Sequence, residues 1–258
     1  MFKAVLDKER IKRWIRYVTA IERLTDEACF WISSEAFHFR DMDAARISMI
    51  DFRLEPQYFL EYVYDGDTEI SICMQSDKLL DFSKLLKTAD ELELALDENM
   101  THFILRTKSP YHKYFAIPII VERDKAKPGV PELEYKARVK IVSAALRDAL
   151  KEAKTISDRI TFIAEENSIS FIAKNDEGFQ VSQKLVYPDN LEILEIDIKE
   201  KSVAVYMVKP LLDVVKELVN VSRVAEINFG TSLPLDLNFE MIEGEHFEYF
   251  LAPRTESE

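Results

Sequence analysis

Over most of the chain apolar and polar residues alternate in short runs, the pattern of strands with one buried face. The last run is His246 to Leu251, in which Phe247, Tyr249 and Leu251 alternate with His246, Glu248 and Phe250. Pro253 stops it, because proline cannot donate to a strand ladder. Four stretches break the alternation: IKRWIRYVTAIE from Ile11, DKLLDFSKLLK from Asp77, SAALRDALKEAKTI from Ser143 and KPLLDVVKELVNV from Lys209. Their apolar residues recur three and four apart, which predicts amphipathic helices.

The pattern occurs twice. Leu79, Leu80, Asp81 and Lys84 return as Leu211, Leu212, Asp213 and Lys216, an offset of 132 residues. At about the same offset FKAVLD and the first helix answer to YKARVKI and the third, and CFWISSEAFHFR answers to ITFIAEENSISFIAK. A shared Leu-Leu-Asp is weak by itself. A whole order of strand, helix, hairpin, strands, helix and strands repeated at one offset marks an internal duplication. Between the halves lies IPIIVERDKAKPGVPELEY, charged and stiffened by Pro128 and Pro131, which cannot be a central strand. The expected division is therefore a domain over 1–117, a connector over 118–134 and a similar domain over 135–258. The fold class is α+β, each domain packing two helices on antiparallel sheet.

Composition narrows the chemistry. Of 258 residues 47% are hydrophobic and 31% charged, enough for a core and a well-solvated surface. No run nears the 18 or so apolar residues of a membrane helix. The beginning, MFKAVLDKERIK, is charged almost at once and reads as no signal peptide, so an intracellular protein is expected. Cys29 and Cys73 have neither metal nor redox spacing and read as buried small hydrophobes. The five glycines stand singly, so no phosphate-cradling loop can be written, and His38, His102, His112 and His246 form no ligand pair. His38, His102 and His246 fall in strand-like alternation and read as surface imidazoles. Asp65 and Asp67 read as a solvated turn. These observations imply no catalysis, no cofactor and no metal. The alternative is a two-domain enzyme turning acids such as Asp41 and Asp43 on a nucleotide or cationic substrate.

The net charge of −13 argues against indiscriminate nucleic-acid binding, yet the helices carry basic stripes. Lys12, Arg13 and Arg16 lie on the first, Lys84 and Lys87 on the second, Arg147, Lys151 and Lys154 on the third, and Lys209 and Lys216 on the fourth. One such helix is usually a solvated face. Four together, packed on one side of the sheets, would make a positive surface suited to phosphates and not to base edges.

Several stretches resemble the sliding clamps of the proliferating cell nuclear antigen family. MDAARISMIDFRLEPQYF (42–59) resembles that family's signature, PGVPELEY (128–135) the end of its interdomain linker, LPLDLNF (233–239) its Leu/Val-Pro-Leu strand and YFLAPR (249–254) its C-terminal motif. The resemblance spans essentially the whole chain and looks archaeal. Two departures stand out: the first helix is about two residues longer than usual before Cys29, and Arg46 stands where eukaryotic relatives often carry His.

The resemblance implies a pseudo-six-fold ring of three subunits, homomeric or built with paralogues, with helices lining a hole around duplex DNA. The ten basic residues above would face the DNA. Subunits would join through HKYFAIP (112–118) and GFQVSQK (178–184), with Tyr114, Phe115, Ala116, Phe179, Val181 and Gln183 at the contact. A pocket of Met42, Arg46, Ile47, Val130, Tyr135, Pro234, Tyr249, Leu251, Ala252 and Pro253 would take the Gln-x-x-aliphatic-x-x-aromatic-aromatic motif of partners. Those partners would be a DNA polymerase, flap endonuclease and DNA ligase, with a separate clamp loader. The tail from Arg254 to Glu258 would be free to pair with the incoming peptide. The expected location is cytoplasm or nucleoid in an archaeon, nucleus in a eukaryote.

Overall fold

In the computed structural model, which describes residues 1–120 and 126–254, the chain forms two compact units. One comprises Met1–Ala44, Ile50–Gly129 and Met241–Phe247; the other comprises Ala45–Met49, Val130–Glu240 and Glu248–Glu258. Residues 121–125 of the connector and 255–258 of the expected free tail lie outside the described residues.

The first unit runs β1 (Phe2–Asp7), α1 (Lys8–Leu24), β2 (Glu27–Ile32), β3 (Phe37–Met42), β4 (Ser48–Leu54), a single 3-10 turn (Pro56–Tyr58), β5 (Glu61–Tyr64), β6 (Ile70–Gln75), α2 (Ser76–Leu85), β7 (Glu91–Leu96), β8 (His102–Thr107) and β9 (Lys113–Pro118). Its strands lie in two rows, β5-β1-β7-β8-β9 and β4-β3-β2-β6. The second unit runs β10 (Ala137–Val142), α3 (Ser143–Ile156), β11 (Arg159–Glu165), β12 (Ser168–Lys174), β13 (Gln180–Val186), β14 (Ile193–Ile198), β15 (Ser202–Met207), α4 (Val208–Leu218), β16 (Val224–Phe229), β17 (Leu235–Phe239) and β18 (Glu245–Leu251). Its rows are β14-β10-β16-β17-β18 and β13-β12-β11-β15. Adding nine to each strand number of the first unit reproduces the orders of the second. The duplication read from spacing is thus a duplication of topology.

Local chemistry explains why the helices start where they do. Asp7 caps α1, its carboxylate accepting from the Arg10 amide at 2.8 Å. The other three helices follow directly on strands and have no side-chain cap. Their apolar stripes hold them instead: Ala145, Leu146, Ala149, Leu150 and Ala153 on α3, and Leu211, Val214, Val215 and Leu218 on α4, are all buried. In the first unit Trp14 packs against Phe30 and Phe37, and its indole donates to Ser83 Oγ at 3.0 Å, tying α1 to α2. The second unit centres on Phe162, whose ring meets Phe171, Tyr206 and Phe229 edge-on.

Two expectations need correction. Cys29 and Cys73 are not separate hydrophobes but a disulfide, placed opposite each other where β2 pairs with β6. Their spacing of 44 residues carried no motif; only strand register brings them together. His38 is no free surface imidazole either: its Nε2 lies 2.6 Å from Asp51, which the Arg40 guanidinium also binds. Among the described residues no helix is long and apolar enough to cross a membrane.

Candidate nucleic-acid interface

In each unit the two helices pack on one another, α1 on α2 and α3 on α4. Away from its apolar stripe, α1 exposes Lys8, Lys12, Arg16 and Arg23. Lys84 and Lys87 are exposed at and just beyond the end of α2, Lys151 and Lys154 on α3, and Lys209 on α4; Arg147 and Lys216 are half-buried. The charge is unequally shared. α1 holds six cations against two anions and α3 three against two, while α2 and α4 each hold two against two.

Ion pairs draw on all four helices, and on α1 Arg10 pairs with Asp7 and Arg23 with Glu22. On α4 a single carboxylate, Asp213, accepts from Lys209 and from Lys216, each at 2.6 Å. Burial would raise this carboxyl, but the two ammonium bonds outweigh it and hold it below the usual range. On α3 Arg147 pairs with the adjacent Asp148 at 2.8 Å, and Lys154 pairs with Asp158. On α1 Lys12 pairs with Glu9 at 2.7 Å. Among the described residues Lys84, Lys87 and Lys151 make no ion pair. Pairs this exposed are worth little, about 0–1 kcal/mol, so a phosphate can compete for most of these cations.

Arg13 departs from the surface reading. Its guanidinium is taken up by Glu245, with Nε 2.7 Å from Oε1 and Nη2 on Oε2, and the Tyr17 hydroxyl donates to the same carboxylate at 2.7 Å. The Arg13 side chain is 17% exposed and that of Glu245 only 1%. Burial works against the guanidinium, yet the Glu245 bond prevails and raises its pKa. The group fastens α1 to the first residue of β18. No sequence signal could have disclosed this, since the partner is 232 residues away.

The residues expected in a docking pocket fall into two sets. In the second unit Ile47 is 39% exposed, Arg46 is exposed with φ of 56°, and Val130, Tyr135, Pro234, Ala252 and Pro253 are half-buried. The Ala252 amide donates to the Ile47 carbonyl at 2.7 Å, which brings the 45–49 segment to the end of β18. Leu133, which the sequence reading passed over, is 36% exposed beside Tyr135 in an open groove of about 370 Å³. Tyr249 and Leu251, expected at the surface, are instead 1% and 0% exposed. They pair across β17 with Leu237 and Leu235 on the inward face, and the Tyr249 hydroxyl meets Ser48 Oγ at 3.1 Å. Alternation forces this: Phe247, Tyr249 and Leu251 must share a face, and that face is core. Met42 closes β3 in the first unit and is half-buried.

Behind the same strands lies a feature the sequence did not disclose. Asp236 on β17 is buried, accepting from Asn228 at 3.1 Å and Asn238 at 2.8 Å. Burial, followed by the charge of Glu248, pushes this carboxyl up to about 7. Burial and then the same two carboxylates also raise the Tyr135 hydroxyl.

The expected joining segments are terminal strands of their rows. β9 ends its row of five, with Tyr114 59% exposed and Phe115 stacked on Phe82 at 4.7 Å; Ala116 is half-buried. β13 ends its row of four, with Phe179 60% exposed just before it and Val181 and Gln183 half-buried. Among the described residues the Gln183 side-chain oxygen is buried without a hydrogen-bond partner.

Comparison with known proteins agrees with this architecture. Residues 1–113 match the family model for the N-terminal domain of proliferating cell nuclear antigen, and residues 129–254 match that for its C-terminal domain. The chain is 30% identical over 249 residues to the DNA polymerase sliding clamp of Pyrococcus horikoshii, covering 96% of this chain and 97% of that one. It is 29% identical over 246 residues to the DNA polymerase sliding clamp of Thermofilum pendens, covering 95% and 96%. Among solved structures, PCNA from Thermococcus kodakaraensis has the same fold with a TM-score of 0.89 at 24% identity, covering 98% of this chain and all of that one. A chain of the PCNA2-PCNA3 complex from Sulfolobus tokodaii matches with a TM-score of 0.84 at 25% identity, covering 98% and 99%. With repeated topology, two helix pairs and both family domains in sequence order, the chain belongs to the proliferating cell nuclear antigen family of DNA sliding clamps.

Proposed function

We propose that three clamp subunits, each this chain or a paralogue, close into a ring around duplex DNA, and that the chain works by tethering and not by catalysis. The observation that carries this reading is the pair of exposed terminal strands, β9 in one unit and β13 in the other, within a duplicated fold. Antiparallel pairing of β9 from one subunit with β13 of the next satisfies both edges and protects Tyr114, Phe115 and Phe179 from aggregation. One chain brings one of each edge, so joining is head to tail, and such contacts make a ring when the rotation closes. The neighbouring solved complex of two different clamp subunits supports partners of this kind, identical or paralogous.

The helices then face the DNA through Lys12, Arg16, Lys84, Lys87, Arg147, Lys151, Lys154, Lys209 and Lys216. Lys8 joins that set, and Arg13 leaves it for a structural role. Loose phosphate contact without base reading suits a ring that must slide. Domain limits of 1–117 and 135–258 with a connector over 118–134 fit this assembly. The surface of Arg46, Ile47, Val130, Leu133, Tyr135, Pro234, Ala252 and Pro253 takes the partner peptide, with Tyr249 and Leu251 as its floor. Its occupants are the polymerase, flap endonuclease and ligase of replication, inside the cell.

Native mass measurement tests the ring: a species of three subunits is expected, alone or with paralogues. The same preparation, loaded on nicked circular DNA, should stay bound and escape when the circle is cut. A persistent monomer with every paralogue tried, or equal retention on cut and closed circles, would overturn the reading.

A further inference from the structure

Cys29 and Cys73 face one another across β2 and β6 with their sulfurs joined and their Cα atoms 4.0 Å apart. β6 ends the row β4-β3-β2-β6, so among the described residues its outer edge has no full strand beside it. That edge makes one isolated bridge, in which the Ile120 amide donates to the Cys73 carbonyl at 2.7 Å. Ile120 also packs on the buried cluster of Cys29, Trp31 and Cys73. Farther along the connector the Lys127 ammonium stands 5.2 Å over the Trp31 ring and pairs with Glu69 at 2.7 Å. The connector is therefore held to the first unit on both sides of residues 121–125 by groups that rest on the disulfide or its immediate neighbour.

We propose that Cys29–Cys73 is a reversible dithiol–disulfide site that acts as a clasp on the connector: oxidised, it fixes the Ile120 anchor, and reduced, it releases it. A dithiol reductant supplies two electrons and two protons. Its thiolate attacks one sulfur and forms a mixed disulfide; its second thiol then displaces the cysteine and leaves as the reductant's own disulfide. Cys29 and Cys73 each end as a thiol. Two thiols need the separation of unbonded atoms, so β6 shifts from β2 and carries with it the carbonyl that holds Ile120.

The position of β6 makes such a site workable. Both cysteines are buried, at 0% and 2% exposure, so a reductant reaches them only when the strand opens. A terminal strand opens without unzipping neighbours on its far side. The exposed Ser71 and Gln75 on the same strand mark its solvent side.

The test uses the full chain purified without reductant. Thiol counting in denaturant should give none before treatment with dithiothreitol and two per chain after it. Residue-resolved hydrogen exchange should show the Ile120 amide exchanging at least about 10-fold faster in the reduced protein, with Ile117 in the β8–β9 ladder unchanged. The melting temperature should fall by about 5–10 °C on reduction and recover on reoxidation. The Cys29→Ala, Cys73→Ala double variant should match the reduced protein and ignore reductant. If it does not fold, the reduction and reoxidation cycle of the wild type decides alone. Two free thiols before reduction would overturn the site, and Ile120 exchange left unchanged when the disulfide is reduced would overturn the clasp.

Discussion

The two helix pairs occupy equivalent places in equivalent folds, yet they treat charge differently. α1 has a surplus of four cations, with Lys8, Lys12 and Arg16 exposed. Its counterpart α3 has a surplus of one, and α4 sets two lysines around one carboxylate. Duplication preserved the topology because the core of each unit demands the same apolar stripes. It left the outward faces to diverge, since a surface charge changes stability little. The lesson is that the first unit's α1 should supply most of the phosphate attraction in this clamp.

The largest expected effect tests whether Arg13 belongs to that attraction at all. Arg13→Ala should cost about 3 kcal/mol or more in chemical denaturation, because Glu245 is left charged and buried. Lys12→Ala should stay within about 0.5 kcal/mol. Equal, small losses would return Arg13 to the surface set.

Next, replacing Lys8, Lys12 and Arg16 with Ala should shorten retention on closed circular DNA by about 10-fold or more and flatten its salt dependence. The Lys209→Ala, Lys216→Ala pair should shorten it by less than about 3-fold. The reverse ranking would dissolve the contrast between the units.

A pH effect distinguishes the second unit. The Asp236 carboxyl stays protonated up to about 7 in the folded chain, whereas an unfolded aspartate titrates near 3.9. Over that interval the folded state binds more protons, so this group's contribution to stability is full below about 4 and lost as pH rises toward 7. Melting temperatures of Asp236→Asn should lack that fall; a slope equal to wild type would assign the proton elsewhere. The smallest effect comes from Asp213→Asn, which frees Lys209 and Lys216 and should lengthen DNA retention about 2-fold. No change would mean that α4 does not approach the phosphates.

Much of the architecture was legible because it follows from periodicity. All four helices and the 132-residue repeat follow from the spacing of apolar and polar residues. The site was legible in part. Exposed stripes such as Lys151 and Lys154 follow from the helical period, and the terminal strands follow from the family resemblance. Leu251 was misplaced because a strand's alternation fixes which residues share a face but not which face is inward. The connector's apolar Leu133 was missed because nothing local distinguishes it from a spacer residue.

The sequence by itself determined the duplication, the helix stripes, the acidic surface and the family, all of which rest on spacing along the chain. Only the tertiary structure decided that Cys29 is bonded to Cys73, that Arg13 serves Glu245, and that Tyr249 and Leu251 are core. Each of these joins residues separated by tens to hundreds of positions. A pairing at that distance depends on strand register and packing, and no local rule of composition or period encodes it.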